Sequence, residues 1–333
     1  MGRVLVTGGA GFIGSHVADA LIARGHEVHV LDDLSGGFRE NVPAAAAFTQ
    51  GSVADATAVD RLFERVGFTH VYHLAAYAAE GLSHFIKRFN YTNNVIGSVN
   101  LLNASINSGV ELFVFASSIA VYGGSPELPM TEAVTPEPED SYGIAKYAIE
   151  LELRASRNMF GLDSVIFRPH NVFGPRQNIG DRYRNVIGIF MNQILQGQPM
   201  TIFGDGSQTR AFSCIADIAP LMADAIEVPA ARNEVFNIGA DLPYSLNDLA
   251  RAVAAAMGVT PEVVHLPARL EAQHAHSAHD KIRAVFGERR QTSLEEGLAE
   301  MAAWVRGHGA RASAPFSGIE ILKNLPPSWQ PTS

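Results

Sequence analysis

The sequence has little cysteine, no long apolar run and no excess of basic residues, and each absence excludes a class of protein. The single cysteine, Cys214, excludes an intrachain disulfide and fits a reducing compartment, so we expect a cytoplasmic protein. No apolar run reaches the ~18 residues that a bilayer span needs, so we expect no membrane partner. The formal net charge of −9 argues against nucleic acid as the main partner. The opening stretch MGRVLVTGGAG lacks the long apolar segment of a signal peptide.

Short apolar runs alternate with helical patterns along the first half of the chain. The strand-like runs are RVLVT, EVHVLD, HVYHLA and LFVFAS, and the helical patterns lie near 12–24, 55–66 and 84–108. This alternation predicts an α/β protein with a Rossmann-type, doubly wound parallel sheet and crossover helices. We assign the first domain to 1–168 and expect 212–238 to return to it.

Glycine and proline become frequent after Arg168, and the alternation loosens. We therefore predict a smaller, mostly helical substrate-binding domain over 169–211 and 239–308. Within it, Ser293 and Glu296 are spaced as a capping box, which predicts the start of a helix. The last residues, 309–333, are rich in proline and serine and are expected to form a surface tail.

Four glycines in seven residues, GGAGFIG, follow the first strand-like run and open a helical pattern. Gly8, Gly11 and Gly14 fit G-x-x-G-x-x-G, which leaves the backbone bare where a strand turns into a helix. A pyrophosphate can then approach the free N–H groups and the positive dipole end of the helix. The strand, the turn and the helix together predict dinucleotide binding.

Asp32 ends the second strand-like run, where an acid can accept hydrogen bonds from the adenosine ribose hydroxyls. Its charge would repel a 2′-phosphate, so the sequence favours NAD over NADP. Arg39, the nearest basic residue downstream, is too distant to favour NADP. The alternative is an ordinary solvated acid at a strand end.

Tyr142 and Lys146 in SYGIAK are four residues apart, so on a helix both project from one face. A phenol with a pKa of about 10 is a poor base at neutral pH, but an adjacent ammonium favours the phenolate. The pair could then remove a hydroxyl proton while hydride leaves the same carbon. Ser118, at the end of the strand-like FVFASS, can place a hydroxyl beside the tyrosine.

Together these motifs resemble the extended short-chain dehydrogenase/reductase family, in its nucleotide-sugar epimerase and dehydratase branch, over about 3–306. The resemblance implies tightly bound NAD, a nucleotide-sugar substrate and catalysis by Ser118, Tyr142 and Lys146. The cofactor-binding residues expected on this basis are Gly8, Gly11, Phe12, Ile13, Gly14, Asp32, Leu74, Ala75, Ala76, Asn94, Tyr142 and Lys146. The expected substrate-binding residues are Ser118, Tyr142, Asn171, Arg176, Arg184, Arg210, Arg269 and His274. The chain departs from the family pattern at Gly51-Ser52, where an aspartate is usual, and at Ala211.

The most informative feature is a missing acid pair. Dehydratases of this branch resemble S-T-D-E-V-Y-G, and the positions of their Asp and Glu hold Ile119 and Ala120 here. What remains is the machinery to oxidise one sugar carbon and reduce it again, so we expect a UDP-sugar 4-epimerase. The alternatives are another nucleotide-sugar epimerase, a 4,6-dehydratase, or a non-catalytic NAD-binding sensor. The intact Ser118, Tyr142 and Lys146 argue against the sensor.

The sugar itself is left open by the sequence. Arg176, Arg182 and Arg184 lie within nine residues after Asn171, and a guanidinium can hold a carboxylate by two parallel bonds. This density favours UDP-glucuronate and UDP-galacturonate about as strongly as the resemblance favours UDP-glucose and UDP-galactose. Alternatively, the arginines bind the diphosphate, pair with Asp181 or serve a dimer.

Four histidines, the segment after the fourth strand and two helical patterns lead to further predictions. His265, His274, His276 and His279 lack a ligand pattern, so we expect no metal. Glu80, Ser83 and His84 follow the fourth strand, where the family places sugar-facing groups, but a purely structural loop is equally compatible. The helical patterns at 84–108 and 141–160 resemble those of the family's four-helix interface, which implies a homodimer.

Overall fold

The computed structural model describes residues 2–125, 127–269, 271–313 and 316–330. The strands are β1 (Arg3–Thr7), β2 (Glu27–Asp32), β3 (Ala47–Gln50), β4 (His70–His73), β5 (Leu112–Ala116), β6 (Ser164–Pro169), β7 (Val172–Phe173), β8 (Met200–Phe203), β9 (Thr209–Ala211), β10 (Ser213–Cys214), β11 (Glu234–Ile238), β12 (Pro243–Ser245), β13 (Val263–Leu266) and β14 (His274–Ala275). The helices are α1 (Phe12–Ala23), α2 (Ala56–Val66), α3 (Glu80–Ser83), α4 (Lys87–Tyr91), α5 (Gly97–Asn107), α6 (Ser141–Phe160), α7 (Val186–Leu195), α8 (Ile215–Ala223), α9 (Leu246–Met257), α10 (Asp280–Phe286) and α11 (Leu294–His308).

A seven-stranded parallel sheet forms the centre of the molecule, in the order β11-β6-β5-β4-β1-β2-β3. Its inner strands are buried on both faces, which is why they read as unbroken apolar runs; all five residues of β5 are buried. The strand order reverses at β1, which pairs with β2 on one side and β4 on the other. In such sheets the ligand crevice lies at the carboxyl ends of the strands beside this reversal. The prediction of a Rossmann-type α/β fold is confirmed.

Two apolar cores cover the two faces of this sheet. On one face, α1 and α8 pack over β1 and β6, through Val17, Leu21 and Met222 among others. On the other, α2, α5 and α6 pack through Phe63, Leu101 and other buried residues. The segment around 212–238 contributes α8 to the first core and β11 to the sheet edge, where β11 pairs with β6.

A third core, around Phe190, Leu249 and Leu298, holds α7, α9 and α11 together and forms a second unit of the fold. The capping box is confirmed: Ser293 accepts from Glu296 N–H and the Glu296 side chain accepts from Ser293 N–H. This unit also contains two small sheets, β13 with β8 and β12-β9-β14, that the sequence pattern does not predict. Their strands are two to four residues long, too short for a period of two to emerge.

The structure differs from the expected surface tail. Over 316–330 the chain folds back onto α3 and α4, and Leu325 and Trp329 are each only 5% exposed. The Glu320 carboxylate accepts from the backbone N–H groups of Arg88 and Phe89 at 3.0 Å each, at the start of α4. This stretch therefore packs against α3, whose Glu80 and Gly81 line the cleft described below.

One helical pattern near 84–108 is observed as α4 and α5 joined by a π-helical turn over Thr92–Ile96. Among the helices that the structure describes, none is long and apolar enough to cross a membrane.

Candidate active site

The glycine loop joins β1 to α1 and leaves no room for side chains. Gly8 has a φ of +72°, and a Cβ there would lie 2.7 Å from the backbone nitrogen of Ala75. A Cβ on Gly14 would lie 2.2 Å from the Gly8 carbonyl oxygen, so α1 can begin this close to the strand only with glycine. Gly11 is the residue that precedes α1, and no side chain caps the helix there. The N-terminus of α1 is thus left open toward the cleft, as an anionic ligand requires.

Asp32 stands at the carboxyl end of β2, beside this loop. Its Oδ2 accepts from Ala10 N–H at 3.0 Å and its Oδ1 from Leu34 N–H at 2.8 Å. Burial raises the pKa of Asp32, and these two backbone bonds oppose the rise. Each oxygen keeps a further lone pair, so the carboxylate can still accept from a ribose hydroxyl. Gly8, Gly11 and Asp32 line one continuous cleft with other predicted cofactor residues: Phe12, Ile13, Gly14, Leu74, Ala75 and Ala76.

Tyr142 is held at the first turn of α6 by its backbone. Asp140 caps the helix, accepting from Tyr142 N–H at 2.8 Å and from Gly143 N–H at 2.9 Å. Ser83 Oγ also accepts from Tyr142 N–H, at 3.1 Å, which ties α6 to α3. The tyrosine is only 6% exposed and lines the cleft beside Ser118. Its position is therefore fixed from two elements.

The charges around Tyr142 act in opposite directions. Burial raises the pKa of its phenol, Glu80 raises it further, and the nearby Ser118 hydroxyl lowers it. Lys146 lies one turn along α6, with its Nζ 5.7 Å from the centre of the Tyr142 ring. That Nζ donates to the Ala116 carbonyl at 2.7 Å, and burial lowers the pKa of Lys146 to about 7. When charged, this ammonium favours the phenolate.

A buried polar network supports the pair from behind. Arg168 Nε donates to Glu150 Oε1 at 2.9 Å, and its guanidinium also donates to the Tyr122 hydroxyl at 2.7 Å. Ser117 Oγ donates to the same Glu150 carboxylate. Glu150 opposes the fall in the pKa of Lys146, because a carboxylate one turn away stabilises the ammonium.

Ile119 and Ala120 follow Ser118 in a 3-10 turn and line the cleft. The side chains there are hydrocarbon, so the two positions offer no proton donor or acceptor. An acid or base for elimination is thus missing from the place where the dehydratase pattern has one.

The cleft has a volume of about 800 Å³ and runs from the glycine loop to the second unit, where Arg210 and Arg269 face it. Arg210 donates to the carbonyl oxygens of Thr209 and Ala272, at 2.8 and 2.6 Å. Arg269 pairs with Glu271 at 2.9 Å and lies over the Phe203 ring. Both cations line this part of the cleft, which suits an anionic group such as a diphosphate. Asn171, with a φ of +41°, also lines it.

The three arginines after Asn171 have different surroundings. Arg176 lies outside the cleft lining, and its guanidinium pairs with Asp19 of α1 at 2.6 Å. Arg182 lines the cleft and donates to the Ser328 carbonyl at 2.9 Å. Arg184 lines it too, pairs with Asp181 and lies over the Tyr77 ring. The structure therefore brings only two of them to the cleft, and both are already engaged.

Three other predicted residues do not line the cleft: Lys146, which is buried behind Tyr142, Asn94 and His274. Asn94 is buried, accepts from Tyr77 N–H at 2.9 Å and donates to Tyr77 O at 3.1 Å, so it shapes the loop after β4. His274 shares a hydrogen bond with Thr209 at 2.8 Å and is exposed. We found no group of three or more His, Cys, Asp or Glu side chains able to hold a metal ion within the described ranges.

Sequence reasoning missed several acids at the cleft, among them Asp140 and Glu271, and left the role of Glu80 open. Asp140 could have been found from the sequence EDSYG, in which an acid precedes a helical pattern. Glu271 lies in an irregular stretch and has no local signal. Glu80, left open between sugar contact and structural loop, lines the cleft and is exposed to it, and the surrounding protein raises its pKa.

Comparisons with known proteins agree with this geometry. The family model described as the NAD dependent epimerase/dehydratase family matches residues 4–239. The UDP-glucose 4-epimerase of Mycolicibacterium smegmatis is 36% identical over 311 residues, which cover 91% of this chain and 98% of that protein.

Solved structures extend the match to three dimensions. The UDP-glucose 4-epimerase of Thermotoga maritima, determined with UDP-glucose, superposes with a TM-score of 0.88 at 36% identity, covering 92% of this chain and 99% of that one. The UDP-glucuronic acid 4-epimerase of Bacillus cereus, in complex with UDP-glucuronic acid and NAD, gives 0.83 at 27% identity, with coverages of 92% and 99%. Similarity thus extends to enzymes that act on either kind of sugar.

Proposed function

The chain belongs to the NAD dependent epimerase/dehydratase family, and on that premise we propose that it interconverts the two C4 epimers of a UDP-hexose. The observation that carries the proposal is that Ser118 and Tyr142 line a cleft where Ile119 and Ala120 replace the acid pair of a dehydratase, with Lys146 buried one turn behind Tyr142. The 36% identity to a UDP-glucose 4-epimerase over nearly the whole of both chains supports it.

NAD, the cofactor of the family, fits the residues at one end of the cleft. The bare backbone at Gly8, Gly11 and Gly14 admits a pyrophosphate, and a Cβ at Gly8 or Gly14 would collide with backbone. Asp32 can accept from the adenosine ribose and would repel a 2′-phosphate. When bound, NAD supplies the acceptor and the donor of hydride for the sugar carbon.

The protein's own part in the reaction is binding and proton transfer. Tyr142 takes the proton from the 4-hydroxyl of the sugar and returns it to that oxygen when C4 is reduced again. Ser118 donates a hydrogen bond to the same oxygen. Lys146 supplies the positive charge that favours the phenolate. Arg210 and Arg269 hold the diphosphate, so the 4-keto hexose can rotate within the cleft and present its other face while the nucleotide stays bound.

The test is product analysis with the purified protein. Incubation with UDP-galactose should give UDP-glucose, identified by NMR, and the reverse reaction should reach the same equilibrium mixture. Absorbance at the NADH wavelength should not rise in step with product, because no net oxidation occurs. NADH that accumulates one for one with product would identify a dehydrogenase instead.

We also propose that the protein is a homodimer that pairs through α6 and the helical segment before α5. Ile144, Leu151 and Met159 on α6 are spaced at seven and eight residues and are exposed by 43%, 38% and 76%. Ile96, 51% exposed, lies on the neighbouring π-helical turn. Such an apolar stripe at helical spacing is suited to pack against a second copy of itself.

A further inference from the structure

Glu80 is a carboxylate that faces the reaction site without a partner. It begins α3, just beyond the carboxyl end of β4, and lines the cleft that also holds Ser118 and Tyr142. Its backbone oxygen accepts from Ser83 Oγ at 2.6 Å, whereas no described residue donates to its carboxylate. Nothing in the described structure therefore consumes its hydrogen-bonding capacity.

The group lies near the reacting end of the sugar. After burial, the negative charge of Glu80 is the largest influence that raises the pKa of Tyr142. Other charges that face Glu80 are Asp140 at the start of α6, Arg210 on β9, and Arg269 and Glu271 in the segment after β13. A hexose bound with its 4-hydroxyl at Tyr142 must therefore pass close to this carboxylate.

The cations that could neutralise a second carboxylate are engaged elsewhere. Arg184 pairs with Asp181, and Arg182 donates to a backbone carbonyl. Arg210 and Arg269, whose charges also reach Glu80, are engaged with backbone carbonyls and with Glu271, respectively. A C6 carboxylate would thus meet the charge of Glu80 where these four guanidinium groups already have partners, whereas hydroxyl groups can donate to Glu80.

We propose that Glu80 is a specificity-determining residue that binds the hydroxyl groups of the hexose and discriminates against sugars that carry a carboxylate. The inference rests on the proposed function and deepens it, because it names uncharged UDP-hexoses rather than UDP-uronates as the substrate class. It therefore favours UDP-glucose and UDP-galactose over UDP-glucuronate and UDP-galacturonate, which the sequence supports about equally.

Binding, measured by calorimetry, tests the proposal without any need for turnover. The NAD-loaded protein should bind UDP-galactose at least about ten times more tightly than UDP-galacturonate at pH 8. Glu80→Gln should reduce that ratio at least fivefold, because it removes the charge and keeps the shape. Glu80→Asp should retain most of it. Glu64→Gln, on the exposed side of α2 and outside the cleft, is the control with the same charge change and should leave the ratio intact.

The pH dependence separates a charge effect from a packing effect. Glu80 is exposed to the cleft and its surroundings raise its pKa, so a larger share of the group is charged at pH 8 than at pH 6. The uronate carboxyl stays ionised over this range. Discrimination should therefore grow more steeply from pH 6 to pH 8 in the unmodified protein than in Glu80→Gln, in which only the change in the charge of Lys146 remains.

Equal binding of the two ligands by the unmodified protein, or an unchanged ratio in Glu80→Gln, would overturn the inference. Turnover of UDP-galactose is scored separately. Discrimination without turnover would support the role of Glu80 while refuting the epimerase, and turnover without discrimination would do the reverse.

Discussion

At the scale of single residues, Tyr142 has to become a base in a place that disfavours its anion. Burial and Glu80 both hold the proton on the phenol, while Ser118 and the charged form of Lys146 favour its release. The balance is close because Lys146 itself has a pKa of about 7 in its buried position. Release of the phenol proton therefore depends on Glu80, Ser118 and Lys146.

Tyr142→Phe should lower kcat at least ~100-fold, the lower end expected for a positioned acid or base. NAD binding should survive, because the glycine loop and Asp32 are untouched. Tyr147→Phe, on the same helix but outside the cleft lining, is the matched control. Steady-state kinetics with UDP-galactose and a cofactor-release assay measure both effects. Wild-type turnover in Tyr142→Phe would remove the phenol from the mechanism.

At the scale of elements, the cap of α6 links stability to catalysis. Asp140 accepts two backbone N–H groups, one of them from Tyr142. Asp140→Ala should destabilise the protein by about 1 kcal/mol, as loss of a cap usually does. It should also reduce kcat, because Tyr142 loses one of the two acceptors that hold its backbone N–H.

The control for that variant is Asp55→Ala, which removes the cap of α2 away from the cleft. Denaturant unfolding should show a similar loss for the two variants, while kinetics should show a fall in kcat for Asp140→Ala alone. An equal effect on activity in both variants would mean that the cap acts only through global stability.

The elements that the sequence predicts are those with a period or a local signal. β1 and β2 are apolar runs, and α6 is long enough to show its pattern; the observed bounds of β1 and β2 equal the quoted runs. The short strands β9 and β14 have no period to detect, and Arg176 is indistinguishable in sequence from Arg184. Its pairing with Asp19 depends on how α1 meets the segment after β7, which only the folded chain determines.

At the scale of the whole molecule, the packing of 316–330 is another feature that local sequence patterns do not predict. Its proline and serine content indicates a loop, but isolated apolar residues such as Leu325 and Trp329 find partners on α3 and α4. A Cβ on Gly81 would lie 3.2 Å from the Trp329 ring, so the stretch packs directly beside Glu80. No local sequence pattern predicts this contact, because the final stretch and α3 are far apart in sequence.

The proposed dimer makes a prediction at this scale. Leu151→Glu places a charge in the centre of the apolar stripe of α6, which would have to be desolvated in a dimer. Light scattering should then give the mass of one chain, 35.8 kDa, where the unmodified protein gives twice that mass. Leu242→Glu, at a residue 68% exposed in the second unit, should remain dimeric. A monomeric unmodified protein would refute the interface.

The central claim is that one sugar carbon is oxidised and reduced again inside a closed site, and the fate of its hydrogen tests this most directly. With UDP-galactose carrying deuterium at C4, NMR and mass spectrometry should find UDP-glucose that retains the deuterium at C4. The same reaction of unlabelled substrate in ²H₂O should introduce no deuterium at carbon. Loss of the C4 label, or solvent deuterium at C5 or C6 with a 4-keto-6-deoxy product, would contradict the account and indicate elimination instead.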